Sequence, residues 1–187
     1  IMSVWFTADT HFGHSRIIEH CKRPFASVGE MDAKLIANWN ARVHPNDTVW
    51  HLGDFMLFGA VETVRKYRDR LHGEIHLVRG NHDKRNQDFG SVFASVSDLA
   101  EISVGIAGVN HHVVLCHYAM RVWHKSHRGA WHLYGHSHGN LADDPNALSL
   151  DVGVDCWDFT PVSPQQVAAR MAAKTWKPVD HHGRDDE

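Results

Sequence analysis

Three short apolar, β-prone runs each stop on a set of polar residues able to bind a hard ion or a phosphate. Residues 4–8 (VWFTA) are followed by Asp9-Thr10-His11, residues 48–52 (TVWHL) by Gly53-Asp54, and residues 75–79 (IHLVR) by Gly80-Asn81-His82-Asp83. Helical periodicity lies between them, at 31–43 with Leu35, Ile36 and Trp39 on one face, and at 61–71 with Val61, Val64 and Leu71 inward and four basic residues outward. Gly73 is expected to cap the second helix. Strand and helix in alternation point to an α/β sheet, and such sheets bind ligands at the carboxyl ends of their strands. Each polar set alone has an ordinary explanation, since Asp, Asn and Gly serve turns and helix caps. Repetition at the same end of three successive strands is harder to reach through turn chemistry.

The second half has a different character. Residues 100–107 and 111–117 suggest a hairpin around Gly108-Val109-Asn110, further strands are expected at 130–134 and 147–152, and a closing helix at 164–173 starts on Pro164. Here the polar residues after apolar runs are His117 and the set Gly135-His136-Ser137-His138. His136 and His138 are spaced to serve neighbouring metal positions. The collected donors, Asp9, His11, Asp54, Asn81, His117, His136 and His138, are nitrogen and oxygen without thiolate, a set suited to Mn, Fe, Ni or Zn.

Composition narrows the field. The 187 residues, 43 % hydrophobic, suffice for one compact domain, expected over 2–177, with 178–187 a polar, disordered tail. A net charge of −3 gives no strong nucleic-acid signal, while leaving a small phosphorylated ligand compatible. No apolar run is long enough to span a membrane and no secretory leader is indicated, so a cytoplasmic location is expected. Cys21, Cys116 and Cys156 are widely separated and fit reduced thiols. The 18 histidines call for a metal centre or reflect compositional drift.

Taken in order, Asp9-Thr10-His11, Gly53-Asp54, Gly80-Asn81-His82-Asp83, His117 and Gly135-His136-Ser137-His138 resemble the calcineurin-like metallophosphoesterase superfamily, and within it the small bacterial and phage phosphoesterases. The resemblance implies a four-layer α/β/β/α sandwich of two mixed sheets flanked by helices. It also implies two divalent metal ions, manganese first, with Fe, Ni or Zn as alternatives. Asp54 would bridge them, with Asp9, His11 and His138 completing one set of ligands and Asn81, His117 and His136 the other. The implied activity is hydrolysis of a phosphomonoester or phosphodiester, with nucleotides among the candidate substrates, by attack of a metal-bridging hydroxide. His82 would be the acid near the leaving oxygen, oriented by Asp83, for which a turn-forming role competes.

His14, after Gly13, is a candidate for the substrate side, as are Arg121 and His127 in the segment 120–131. His51 is expected to be buried in its strand rather than offered to metal, and Asp151 and Asp155 are expected to be structural. The alternative from a different class is a non-catalytic metal-binding regulatory or scaffold protein retaining the fold. A serine or cysteine hydrolase finds no G-x-S-x-G elbow. Oligomeric state is not legible.

Overall fold

Parallel pairing of four strands builds the first sheet in the computed structural model, which describes residues 2–57, 60–84 and 88–179. The strands β1 (Val4–Thr7), β2 (Thr48–His51), β3 (Glu74–Val78) and β4 (Ser95–Ser97) lie side by side in chain order. Their register pairs Thr7 with His51 and His51 with Leu77, so the carboxyl ends of the first three strands are level. Helix α1 (Arg16–His20) and helix α2 (Val28–Arg42) lie between β1 and β2, and α3 (Val61–Arg68) between β2 and β3. With strands in chain order, crossovers of one hand put these helices on one face. There Met31, Leu35, Ile36 and Trp39 of α2 and Val64 of α3 form one core with Val49, Ile75 and Leu77 of the sheet.

The other face meets a second sheet, composed of β5 (Leu99–Ile106), β6 (Val109–Cys116), β7 (Trp131–Tyr134) and β8 (Ser149–Asp151) in that order. Phe6, Ala8, Leu52 and Val78 share a core with Val113, Leu115, Leu133 and Leu150 across the interface. Strand β7 is buried at all four residues and β6 at Val113, Val114 and Leu115, so these strands are covered on both faces. Helix α4 (Pro164–Ala172) begins with a capping box between Ser163 and Gln166, and packs Val167 and Met171 into the same core.

The architecture is thus α/β with two four-stranded sheets flanked by helices. Expectation and structure differ in several places. The second sheet is mixed, with β5 and β6 antiparallel and the remaining pairs parallel, but the first is parallel throughout. Its antiparallel contact is an isolated bridge between Phe6 and Val162. The hairpin turns on Ala107 and Gly108, both at positive φ, a two-residue turn whose twist matches the strands, rather than on 108–110. Helix α3 stops at Arg68, so Gly73 is no helix cap; its φ of +89° instead lets the chain pass close to Val43 and the Asp47 carbonyl on entering β3. Of the expected polar tail, residues 180–187 lie outside the described residues. No described helix is long and apolar enough to cross a membrane.

Asp47 ties the opposite, amino-terminal end of the sheet. Its carboxylate accepts from the Ser3 and His44 backbone N–H groups and from the Trp5 indole, at 2.8, 2.9 and 3.0 Å, while its carbonyl accepts from Glu74 N–H. Three donors on one buried carboxylate are expected to be strongly coupled to folding. Asp47→Ala should lower stability by about 2–3 kcal/mol in urea unfolding, whereas a change within experimental error would show that water replaces the carboxylate there.

Candidate metal centre

Beyond the level strand ends, the chain leaves the sheet through left-handed residues. Asp9, His11, Asp54, His136 and His138 have φ between 47° and 67°. Such a conformation disfavours a residue with a Cβ by about 1–2 kcal/mol, and it persists where surrounding contacts impose it. Those contacts are visible. Asp9 N–H bonds Gly53 O, His11 N–H bonds Asp54 O and Phe12 N–H bonds Phe55 O, so the turns after β1 and β2 run side by side. His136 N–H is held between both carboxylate oxygens of Asp9, at 3.0 and 2.9 Å, which joins the two sheets. Two glycines permit the closeness: a Cβ on Gly80 would collide with Asp54 Oδ1, and one on Gly135 would lie 2.5 Å from the Ala8 side chain and 2.8 Å from Asp9 Oδ2.

The side chains converge. Donor atoms of Asp9, His11 and His138 lie within 4.8 Å of one another, as do those of Asp54, His117 and His136, and those of His11, Asp54 and His82. Asn81 Oδ1 is 3.1 Å from His117 Nε2 and 2.9 Å from His136 Nδ1. These clusters could hold metal ions. The chemistry of the donors fits a divalent ion, and one atom makes the case particular: His11 Nε2 is buried without a hydrogen-bond partner, 3.5 Å from Asp54 Oδ2. An orphaned buried imidazole nitrogen facing a carboxylate is costly unless something else satisfies it. Metal-binding imidazoles commonly have their other nitrogen fixed by hydrogen bonding, and here His117 Nδ1 bonds Leu52 O and His138 Nδ1 bonds Asp155 Oδ2, both at 2.7 Å.

Burial dominates the electrostatics. It pushes the Asp9 carboxyl up to about 7, with Asp54 and Asp151 adding to the effect, and drives His11 down to about 2. For Asp54 burial also opposes ionisation, but the His117 hydrogen bond and charge, with the His82 backbone N–H, hold its carboxyl well below the usual range. Burial alone would lower His138, yet the Asp155 carboxylate raises it to about 10. Protons on imidazoles therefore balance the carboxylates in the metal-free chain. A bound cation would displace them.

The remaining candidates fall in different places. His82 lies at the mouth, its side chain 34 % exposed, its ring centroid 5.3 Å from that of His11 and its backbone N–H on Asp54 Oδ1. Asp83 accepts instead from the backbone N–H groups of Gly80, Asp54 and Phe55, so its carboxylate clamps two turns together rather than orienting the His82 ring. His14 Nδ1 is 3.2 Å from His11 Nδ1, and His14 lines a groove with Arg16, Met56 and Tyr67. Arg121 lines another cavity, with Met120, Leu141 and Trp176, and shares no wall with that groove; His127 lies in a single 3-10 turn at Ser126–Arg128. His51 is fully buried against Thr10 Oγ1, as its strand position suggests.

Two residues that the motifs do not mark are central. Asp155, expected to be structural only, holds His138. Arg23, given no role by the sequence, is buried, forms two 2.8 Å bonds to Asp155 and donates to the carbonyls of Asp9 and Thr10. Neither has a local signal, because these partners are 13 to 132 positions away.

Asp155→Asn should weaken metal binding about 10- to 100-fold by isothermal titration, since the amide orients His138 with less basicity; unchanged affinity would remove Asp155 from the centre. Asp9 generates a pH prediction. With its carboxyl near 7 when folded and 3.8 when unfolded, the folded chain retains a proton that the unfolded chain has lost. Asp9's own contribution to metal-free stability should therefore fall as pH rises from about 4 to about 7 and level off above. Chelator-treated Asp9→Asn should be more stable than the parent at pH 8 by about 4 kcal/mol at most, with the gap closing towards pH 4. A gap independent of pH would contradict this.

No family model matches the chain. It is 34 % identical over 166 residues to the uncharacterized protein MJ1445 of Methanocaldococcus jannaschii, covering 86 % of each chain. It is 31 % identical over 183 residues to the gene 66 protein of Mycobacterium phage L5, covering 83 % of this chain and 87 % of that one. The crystal structure of AQ665 from Aquifex aeolicus, a protein of unknown function, superposes with a TM-score of 0.68 at 20 % identity, over 90 % of this chain and 99 % of that one, and shares the fold. A structure described as a novel archaeal phosphodiesterase aligns at a TM-score of only 0.42 and 21 % identity, too low to bear on either fold or activity. Identity and coverage together show that the chain belongs to the family of MJ1445 and the mycobacteriophage gene 66 proteins.

Proposed function

We propose that the protein is a metal-dependent phosphoesterase with the four-layer metallophosphoesterase fold, hydrolysing small phosphomonoesters or phosphodiesters, nucleotides among them. The observation that carries the reading is the meeting of Asp9, His11, Asp54, Asn81, His117, His136 and His138, from the ends of five strands, in adjoining clusters on either side of Asp54, with the His11 nitrogen left unpaired. Asp9, His11 and His138 would hold one divalent ion and Asn81, His117 and His136 a second, with Asp54 between them. Ions bound there supply positive charge against phosphoryl oxygens and acidify water at neutral pH.

The chain's own residues do the rest. Asp54 keeps its negative charge, since His117 and the His82 N–H stabilise it, and so remains available to a cation. Asp155, anchored by Arg23, fixes the His138 ring, and Leu52 O fixes that of His117. His82, at the mouth and tethered through its backbone to Asp54, is the group to pass a proton to the departing oxygen. His14, beside His11 and lining the neighbouring groove, would contact the substrate.

Chelated protein reloaded with Mn, Fe, Ni or Zn should hydrolyse mono-aryl or bis-aryl phosphates, with nucleotides tested next. Inertness of the loaded protein towards the whole panel would favour a binding role instead. His82→Ala should reduce turnover of alkyl esters, with their poor leaving groups, by about 10²- to 10⁴-fold and that of activated aryl esters far less. Equal loss on both, with metal retained, would reject the proton-donor role.

A further inference from the structure

Away from this centre, three other metal-binding side chains meet on the outer side of the second sheet. Glu101 comes from β5, His112 from β6 and His124 from the segment between β6 and β7. Glu101 Oε2 is 2.9 Å from His112 Nε2 and 2.7 Å from His124 Nδ1, with the imidazole rings edge to face at 5.6 Å. The antiparallel register pairs Glu101 with Val114 and Ser103 with His112, so Glu101 and His112 are diagonal neighbours on one face. Two imidazole nitrogens and a carboxylate oxygen, supplied by three separate segments, thus point at one place.

We propose that Glu101, His112 and His124 form a separate surface site for Zn²⁺ or a comparable borderline divalent ion, independent of the phosphoesterase reading. A His₂Glu set leaving one position to water is a familiar zinc arrangement. Tetrahedral zinc holds its ligand atoms about 3.4 Å apart, given bond lengths of about 2.0–2.2 Å. The two contacts to Glu101, at 2.9 and 2.7 Å, therefore need to open by about 0.5 to 0.7 Å. Ion and protons compete for it: without metal the imidazoles donate N–H to Glu101, and with metal the same nitrogens give lone pairs.

Occupancy would have a mechanical consequence. The segment between β6 and β7 starts after His117 and ends in the strand that leads to His136, and its middle is joined to the β5–β6 hairpin through His124. An ion at the trio would replace two exposed hydrogen bonds, from His112 and His124 to Glu101, with a three-point clamp. That clamp restrains the segment carrying Arg121, Lys125 and Arg128, which are trypsin cleavage points.

The test uses the full chain, stripped with chelator and titrated with Zn²⁺ or Co²⁺ alone. The parent should bind one equivalent more than Glu101→Gln, His112→Gln or His124→Gln, each of which should keep the parent's circular dichroism. Zn²⁺ should slow tryptic cleavage between Arg121 and Arg128 several-fold in the parent and not in the variants. Asp54→Asn should retain the extra equivalent. Equal stoichiometry, with affinities within about twofold across parent and surface variants, overturns the proposal. Loss confined to Asp54→Asn would leave the buried centre standing and remove this site, and loss confined to the surface variants would do the reverse.

Discussion

The organising constraint is the burial of ionisable side chains where the two sheets meet. Asp9, His11, Asp54 and His117 are each no more than 2 % exposed. Charges so placed are tolerated only when neighbours satisfy them. Much of the surrounding structure answers that demand. The left-handed turns bring the groups within reach of one another, Gly80 and Gly135 allow backbone to approach carboxylate, and the N–H groups of His82 and His136 solvate Asp54 and Asp9. Two neighbours then act at one remove. Asp83 draws the turn after β3 onto the turn after β2, and Arg23 holds β1's end and Asp155 in a single guanidinium plane. Among the described candidate ligands, His11 Nε2 is the buried atom left without a hydrogen-bond partner.

This accounts for which features are legible in the sequence. The three parallel strands are visible because they are short, apolar and closed by polar residues, and the level register follows from helices that cross between neighbouring strands. The convergence of Asp9, His11 and Asp54 can be inferred from that geometry alone. The partners of His136 and His138 come instead from contacts spanning as many as 127 positions, for which local pattern holds no information. Arg23 and Asp155 are of this kind: an arginine in a polar stretch and an aspartate after a β-prone run look ordinary. Asp83 is the intermediate case: the sequence leaves it between pairing with His82 and forming a turn, and the backbone N–H groups of Gly80, Asp54 and Phe55 engage its carboxylate in the turn. Boundary differences have local causes, such as the two-residue turn at Ala107 and Gly108, where alanine occupies a position usually left to glycine or asparagine.

Stability and binding pull against each other in this design. Left-handed non-glycine residues and an ionisable group held away from its ordinary pKa each weaken the metal-free fold, and both lie among the candidate ligands. Substitutions that relax them would strengthen the empty chain while removing donors, the usual tension at a preorganised site.

The bond between His136 and Asp9 also has a temporal meaning. Asp9 emerges early in synthesis and its partner only after both strands of the β5–β6 hairpin, so neither candidate ion site can be complete on a growing chain before His136 is available, and one of them not before His138. Until then the first sheet can pair through local crossovers while its strand ends remain open to water. Closure of the second sheet over the first is then the event that creates the site's dry interior, making the ability to bind an ion a report that the chain has reached its final topology.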